Sequence, residues 1–436
     1  MSHLLRWTVL LGACVLAGCG GGGGTSAPVS SASTSSSGSS SSGAAVSNVL
    51  GITVGPGPAA ANGGTFNIPY ASVKVCEPGT TTCATIDHML VDTGSSGLRV
   101  MASVLTAAGL SLTDMPDPAN ASHSIAECLP FADGYTWGPV AKADVSMAGE
   151  SANNLSIHII NDNGSYAATV PSSCTSMGGT TSLNSVSAFA ANGVLGVGVF
   201  DQDCGTSCRD CASFSLGCST TNSDVYYSCN TGTNSCAFTP LGLPEQVRNP
   251  VALFAVDNNG VVVVLPLLPV AGQLTASGSL IFGIGTQSNN ALGGATVLTT
   301  TARGDILTVF DSQTLGQSFI DSGSNGYFFP DAPHPIPVCA TASDFYCPSS
   351  TLMETASNQG QNGATKQVNF TITNLNNSNH SFYANATIGG PASASNPQLG
   401  SGMYFDWGLP FFYGKRVFTA IEGKIAGSDV GPYYAY

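Results

Sequence analysis

The sequence contains few charged residues. Only 8% of its 436 residues are Asp, Glu, Lys or Arg, and 11 basic residues stand against 25 acidic ones, for a formal charge of −14. With so few cations the chain cannot build a basic surface that follows a phosphate backbone, so we expect no nucleic-acid partner. It also lacks the unbroken run of about 20 apolar residues that a transmembrane helix requires.

Familiar catalytic motifs are missing as well. The six histidines show no His-x-x-x-His spacing, and the sequence has neither a Gly-x-Ser-x-Gly motif nor a phosphate-binding Gly-Lys-Ser/Thr loop. We therefore expect no bound metal and no cofactor. The chain is instead rich in glycine (53) and proline (24), which disfavour long helices and favour turns. This composition predicts a large, soluble, β-rich protein.

The first residues have the pattern of an export signal. Arg6 precedes an apolar stretch over residues 7–16, and small residues follow it up to Cys19. This order is typical of a secretory signal peptide, which we place at residues 1–18. Cys19 follows Leu-Ala-Gly, which resembles the bacterial lipobox, where the cysteine is lipidated and becomes the new N-terminus. An ordinary signal peptide that happens to contain a cysteine is the alternative.

A low-complexity segment follows the signal. Residues 20–43 are almost entirely Gly, Ser, Ala and Thr, which cannot bury enough apolar surface to offset their chain entropy. We therefore predict a flexible tether over residues 19–47 and a lipid anchor that holds the protein at a membrane. Gly rather than Asp after the cysteine resembles the sorting signal for the outer membrane of a bacterial cell envelope.

Cysteine usage supports an oxidising compartment. Of the 14 cysteines, one leaves with the signal and one carries the lipid, so an even number of 12 remains for disulfides. A cluster between Cys204 and Cys236 has spacings that would also suit zinc, but no histidine lies among them, so we favour disulfides of undetermined pairing. Two further short-range pairs flank turns and are predicted to form disulfides: Cys76 with Cys83, and Cys339 with Cys347.

One short motif occurs twice. Residues 89–97 (Met-Leu-Val-Asp-Thr-Gly-Ser-Ser-Gly) match residues 318–326 (Ser-Phe-Ile-Asp-Ser-Gly-Ser-Asn-Gly) in register, and each copy follows an apolar, strand-like run. A second glycine motif follows each copy downstream, ending at Gly196 and Gly408. The repeat predicts two lobes. We assign them to residues 48–203 and 249–436, with a Cys-rich insertion over residues 204–248 between them.

The repeated turn has a clear chemical meaning. A strand that ends in Asp-Thr/Ser-Gly places a carboxylate at the strand end, and the serine three residues later can orient it. If the two turns meet, their carboxylates cannot both ionise and must share one proton. One then serves as general base for a water molecule while the other serves as general acid for a carbonyl oxygen.

These motifs resemble those of the pepsin-like aspartic peptidases. The resemblance implies an all-β, two-lobed fold of double-psi β-barrels with a cleft between them, and it makes Asp92 and Asp321 the catalytic pair. The whole-chain plan also resembles a bacterial lipoprotein family of unknown function. Residues that the resemblance assigns to the support of the pair are Thr93, Gly94, Ser95, Ser322, Gly323 and Ser324.

Some positions depart from the family pattern. The family covers its cleft with a hairpin flap that carries a tyrosine, for which Phe131 and Tyr135 are the candidates, and we slightly favour Tyr135 for its hydroxyl. Arg99 follows the first turn where the family usually has a flap-supporting tryptophan. Asp406 replaces an apolar residue before Gly408, and we expect it to be a solvated turn residue rather than a third carboxyl of the site.

The sequence thus predicts a monomeric, lipid-anchored aspartic endopeptidase that acts on exported polypeptide. The alternative is a surface lipoprotein of the same fold with an idle cleft that acts in binding. The altered flap, Arg99 and the absence of a basic prosegment between Cys19 and Thr65 motivate this alternative.

Overall fold

The computed structural model describes residues 47–61, 65–177, 181–206, 225–379, 381–392 and 402–436. The predicted signal peptide, nearly all of the predicted tether, the predicted lipidation site Cys19 and much of the Cys-rich insertion lie outside these residues. By its contacts, the stretch from Val46 to Tyr436 forms one unit.

Alternation of apolar and polar residues produces most of the strands. In the strand Thr365–Ile372, for example, Val368 and Phe370 are buried while the alternate residues Gln367 and Asn369 are exposed, because successive side chains point to opposite faces of a strand. In the first half of the chain the strands are β1 Val49–Val54, β2 Pro69–Cys76, β3 Cys83–Asp92, β4 Ser96–Met101, β5 Pro116–Asp117, β6 Asn120–Phe131, β7 Gly134–Met147, β8 Glu150–Ile160, β9 Gly193–Val197, β10 Tyr226–Asn230 and β11 Ser235–Phe238.

The second half of the chain is equally rich in strands. They are β12 Gly260–Val264, β13 Ala276–Phe282, β14 Val297–Thr299, β15 Ile306–Phe310, β16 Gln313–Ile320, β17 Tyr327–Phe329, β18 Leu352–Gln359, β19 Thr365–Ile372, β20 Gly389–Pro391, β21 Asp406–Trp407, β22 Arg416–Ala420, β23 Ile425–Ala426, β24 Asp429–Val430 and β25 Tyr433–Ala435.

Helices in the described residues are short, in keeping with the many glycines and prolines. None of them has the length and apolar character needed to cross a bilayer. The α-helices are α1 Ala102–Ala107, α2 Ser172–Met177 and α3 Val186–Phe189, and the 3₁₀ turns are Ala59–Ala61, Pro250–Leu253, Leu375–Asn377 and Leu409–Phe412.

Two large sheets organise the strands. The larger runs in the order β11-β10-β6-β7-β8-β4-β9-β3-β2-β1-β13-β12-β22-β25-β14, so it continues from the first half of the chain into the second through the antiparallel pair β1–β13. The smaller sheet, of order β19-β18-β15-β16-β21-β17-β20, belongs to the second half alone. The predicted all-β, two-lobed fold class is confirmed.

The same local topology occurs once in each half. β9 lies between β3 and β4, parallel to the first and antiparallel to the second, and β21 lies in the same way between β16 and β17. Each central strand carries one of the downstream glycine motifs. The sequence repeat is therefore also a structural repeat, and it places the aspartate turns at the ends of β3 and β16, the strands parallel to β9 and β21.

Candidate active site

Each aspartate turn follows a buried strand directly. β3 ends at Asp92, and β16 ends at Ile320, the residue before Asp321. Glycine is required where the downstream strand passes behind the turn: a Cβ on Gly408 would lie 2.1 Å from the carbonyl oxygen of Gly326. The backbones can pack this closely only without a side chain between them.

The two turns hold each other through reciprocal hydrogen bonds. The Oγ1 of Thr93 accepts from the backbone N–H of Ser322 at 2.9 Å and donates to the carbonyl of Ile320 at 3.2 Å. In the mirror arrangement, the Oγ of Ser322 accepts from the N–H of Thr93 at 3.1 Å and donates to the carbonyl of Val91 at 2.7 Å. Both side chains are at most 1% exposed, so the lobes are joined at this point by fully buried bonds.

The glycines of the two turns allow the carboxyl groups to approach. A Cβ on Gly94 would lie 2.5 Å from Cγ of Asp321, and a Cβ on Gly323 would lie 2.6 Å from Oδ1 of Asp92. Each turn thus leaves room for the carboxyl group of the other, and the two carboxyl groups lie close enough to interact. The structure brings together the two aspartates that the sequence repeat singled out.

Each carboxyl group is oriented by its own turn. The N–H of Gly94 donates to Asp92 Oδ1 at 2.8 Å, and Ser95 Oγ donates to Asp92 Oδ2 at 2.5 Å. In the second turn the N–H of Gly323 donates to Asp321 Oδ1 at 2.6 Å, and Ser324 Oγ lies 2.9 Å from Asp321 Oδ2.

Burial and neighbouring charge make Asp321 hard to ionise. Its pKa is raised well above the usual range, first by burial and then by the charges of Asp92 and Asp406, although the N–H of Gly323 partly offsets this. Two carboxyl groups in direct contact at such a site titrate as one unit and share a proton. The pair can therefore offer an acid and a base at the same time.

Two cavities are lined by the pair. The first has a volume of about 380 Å³ and is mostly apolar, with an aromatic wall formed by Phe66, Phe189 and Phe328. The second, of about 290 Å³, combines Phe200 and Phe319 with the polar residues Arg99, Asp203 and Asp406. Both are lined by Asp92, Asp321 and Phe131.

The two flap candidates, Phe131 and Tyr135, lie in different surroundings. β6 and β7 form a hairpin whose last pair is Phe131 with Gly134, and Phe131 at its tip contacts both cavities. Tyr135 is only 7% exposed and packs beside Trp137 in a cluster away from the pair. The slight preference for Tyr135 is therefore wrong, because the hairpin turns its side chain into the core.

A buried ionic network lies behind the first turn. Arg99 Nη2 contacts Glu127 Oε1 at 2.8 Å and Asp203 Oδ2 at 3.0 Å, while Glu127 Oε2 contacts His158 Nδ1 at 2.8 Å. The Tyr226 hydroxyl donates to Asp203 at 2.5 Å. Glu127 is part of β6, a strand of the hairpin that carries Phe131, so Arg99 links the first aspartate turn to this hairpin by charge.

The carboxyl groups of this network differ in how readily they ionise. Burial opposes the ionisation of Glu127, but Arg99 and His158 outweigh it and hold its pKa well below the usual range. Burial and the adjacent Glu127 raise the pKa of Asp203 well above its usual range. Of the two carboxyl groups beside the Arg99 guanidinium, Glu127 therefore ionises more readily.

Disulfides fasten the flap and two turns. Cys128–Cys174 ties β6 to α2, and Cys229–Cys236 closes the β10–β11 hairpin, which pairs with β6. The described part of the Cys-rich insertion thus extends the flap sheet instead of only linking the lobes. Two further disulfides join residues seven and eight positions apart: Cys76 with Cys83, and Cys339 with Cys347.

Asp406 does not occupy a solvated turn. It belongs to β21, is 4% exposed, and its Oδ2 lies 2.6 Å from Ser324 Oγ. The expectation of a turn residue is wrong, because β21 pairs with both β16 and β17 and draws the side chain under the second turn. Within the described part of the chain, no group of three or more His, Cys, Asp or Glu residues is arranged to hold a metal ion.

A family described as "Protein of unknown function (DUF3443)" matches residues 44–436. The chain belongs to this family. No curated protein matches it. Among solved structures it is similar to the crystal structure of an aspartic proteinase from Irpex lacteus, with 13% identity, a TM-score of 0.42, and coverage of 89% of this chain and 96% of that one.

Sequence reasoning did not find every residue at the site of this DUF3443 chain. The pairing of Arg99 with Glu127 joins positions 28 residues apart on different strands, and the position of Asp406 depends on the pairing of β21. The one available signal was chemical: each is a charged residue inside an otherwise apolar run, which is uncommon in a core unless the charge has a partner.

Proposed function

We propose that this chain is an aspartic endopeptidase that hydrolyses peptide bonds with a water molecule activated between Asp92 and Asp321. The observation that carries the proposal is the pair of carboxyl groups, brought into contact by two cross-braced turns and lining two cavities. Hydrolysis at such a pair needs no metal, cofactor or covalent intermediate.

The proposed reaction follows from the single shared proton. The ionised carboxylate takes a proton from water as the water oxygen attacks the peptide carbonyl carbon, and the neutral carboxyl gives its proton to the carbonyl oxygen. The resulting gem-diol collapses when the carboxyl that took the water proton gives it to the amide nitrogen, the C–N bond breaks, and a hydroxyl of the gem-diol returns its proton to the other carboxylate.

The cavities support an extended polypeptide as substrate. Both are lined by Asp92, Asp321 and Phe131, so we infer that a chain bound in extended form across the pair places one side chain in each. We infer that the aromatic wall of the larger cavity favours a large apolar side chain there, since burial of such a group is worth about 1.5–3 kcal/mol.

The experiment compares the wild type with Asp92→Asn and Asp321→Asn on a denatured protein substrate between pH 2 and pH 7. We expect cleavage by the wild type alone, with both variants folded as judged by thermal unfolding. Asp87→Asn is the matched control, since Asp87 is an exposed carboxyl on the same strand as Asp92. Cleavage that persists in either dyad variant contradicts the proposal. A folded wild type that binds polypeptide without cleaving it favours the binding alternative.

We also propose that the chain is exported and anchored to the outer membrane through a lipid on Cys19. The support is the sequence order of Arg6, the apolar stretch and Leu-Ala-Gly-Cys. Expressed in a bacterium, the wild type should sediment with outer-membrane vesicles, and Cys19→Ala should move to the soluble fraction. Equal sedimentation of both forms contradicts lipidation.

A further inference from the structure

Ser324 forms more hydrogen-bonding contacts to carboxyl groups than one hydroxyl can donate. Its Oγ lies 2.9 Å from Asp321 Oδ2 and 2.6 Å from Asp406 Oδ2. A serine hydroxyl carries one hydrogen, so it can donate in only one of these contacts. The other contact is a hydrogen bond only if a carboxyl group donates its own proton to Ser324.

The surroundings show which carboxyl supplies that proton. Asp321 shares one proton with Asp92, and its Oδ1 already accepts from the N–H of Gly323 at 2.6 Å, so its Oδ2 is left as an acceptor for Ser324. Asp406 is 4% exposed, and its Oδ1 is buried with no hydrogen-bond partner among the described residues. An ionised carboxylate with an unpartnered, buried oxygen is strongly disfavoured. The geometry suits a neutral acid, with Oδ1 as the carbonyl oxygen and Oδ2 as the hydroxyl.

We propose that Asp406 is a positioning residue that keeps its own proton and donates it to Ser324, whose hydroxyl then donates to Asp321, so that Asp406 sets the pH at which the pair loses its shared proton. The proposal rests on the function proposed above. It adds a third carboxyl to the site, and two protons are then distributed over three acids at working pH.

The other charged and titratable groups near Asp406 are few. The aspartate Asp92 lies across the pair, and Tyr434 faces Asp321 and Asp406 from β25. Arg99 and Asp203 line the same cavity but are already paired with each other. Burial favours the neutral form of Asp406 and raises its pKa.

The proposal predicts a direction for the pH profile. When Asp406 ionises at high pH, its charge opposes loss of the shared proton and so extends activity upward in pH. Asp406→Asn keeps a donor for Ser324 but cannot ionise. Leucine is similar in size to aspartate, so Asp406→Leu removes both the ionisable group and the donor to Ser324 while keeping the volume. We therefore expect the upper limb of kcat/KM to move to lower pH in both variants.

The two variants should differ in rate. Loss of the donor in Asp406→Leu should lower kcat by up to about tenfold, because a hydrogen bond contributes about 0.5–1.5 kcal/mol. Asp406→Asn should restore most of that loss. Asp305→Asn is the control: burial also raises the pKa of Asp305, but it lies outside both cavities, so its pH profile should match the wild type.

A second measurement is independent of cleavage. In protein labelled with ¹³C at the aspartate carboxyl carbons, the wild type should show one carboxyl that stays protonated to high pH and is missing from Asp406→Asn. The Asp321 signal, assigned with Asp321→Asn, should titrate at lower pH in the Asp406→Asn protein. Unmoved titration of Asp321 overturns the inference, as does an upper pH limb that is the same in all variants. A wild type without peptidase activity but with the coupled titration contradicts the proposed function and upholds the role of Asp406.

Discussion

The two aspartate turns have nearly the same hydrogen bonds but different surroundings. Behind Asp92 lies a buried ionic network centred on Arg99, with Glu127 and Asp203 at 2.8 Å and 3.0 Å. Behind Asp321 lies an aromatic stack in which the ring centroids of Phe405 and Trp407 are 3.8 Å apart. One turn is supported by paired charges and the other by packed rings.

This difference shows what the site requires and what it leaves free. The cross-brace and the glycine contacts are the same in both turns, because each carboxyl must meet the other at a fixed distance. The support behind each turn has only to be rigid, and either chemistry provides that. The ionic side also reaches the flap through Glu127, while the aromatic side carries a single carboxyl, Asp406.

The largest expected effect breaks the ionic support. Arg99→Leu leaves Glu127 and Asp203 buried without their cation, and removing one partner of a buried ion pair costs about 3–5 kcal/mol. We expect a loss of this size in the free energy of unfolding, measured with urea. Arg303→Leu is the control, because Arg303 is 67% exposed and its 3.6 Å contact with Asp305 lies at the surface. Wild-type stability in Arg99→Leu would contradict a supporting role for the network.

The next effect tests the symmetry of the turns. Alanine at Gly94 or at Gly323 places a methyl group within 2.6 Å of the opposite carboxyl group and should push the pair apart. A displacement of this kind costs about 10²-fold in rate, and the two variants should lose similar amounts. Gly51→Ala is the control, since no described atom lies within 4 Å of that Cβ. Unequal losses would show that one turn tolerates displacement better than the other.

A smaller effect concerns the cross-brace. Thr93→Val and Ser322→Ala each remove a buried hydroxyl that accepts from a backbone N–H of the other turn. Each should lower the free energy of unfolding by about 1–3 kcal/mol, since the donor loses its buried partner. Thr80→Val, at an exposed hydroxyl, should have little effect. If only one of the two variants is destabilised, the brace is not reciprocal.

The smallest effect separates the two supports by pH. Burial raises the folded-state pKa of Asp406 above its unfolded value, so its contribution to stability is fully present below about pH 3.9 and is lost as the pH rises through the folded pKa. Relative to Asp406→Asn, the wild type should therefore become less stable in urea as the pH rises from 4 to 7. A constant difference in stability over that range would mean that burial does not raise the folded-state pKa of Asp406 above its unfolded value.

The sequence was sufficient for the turns and insufficient for their supports. Asp92 and Asp321 belong to a nine-residue repeat. The turn that such a motif forms can be predicted from the sequence, because the strand end and the glycines determine it locally. The contact between Arg99 and Glu127, the disulfide Cys128–Cys174 and the burial of Asp406 depend on which strands become neighbours. Strand pairing at that distance is not encoded in any short motif.

The flap illustrates the same limit. Phe131 and Tyr135 both belong to one aromatic hairpin, and only the register of β6 against β7 decides which of them lies at the tip. A shift of one residue exchanges the two faces of a strand, so composition alone could not settle the choice.

The central claim is that Asp92 and Asp321 act as one catalytic unit, and a double-mutant comparison tests it most directly. The measurement is kcat/KM for cleavage of one peptide by the wild type, Asp92→Asn, Asp321→Asn and the double variant, at the pH optimum of the wild type. Because neither carboxyl works alone, each single variant should fall to the same background, and the double variant should be no slower. Losses that multiply from the single variants to the double variant would contradict a shared proton and a joint mechanism.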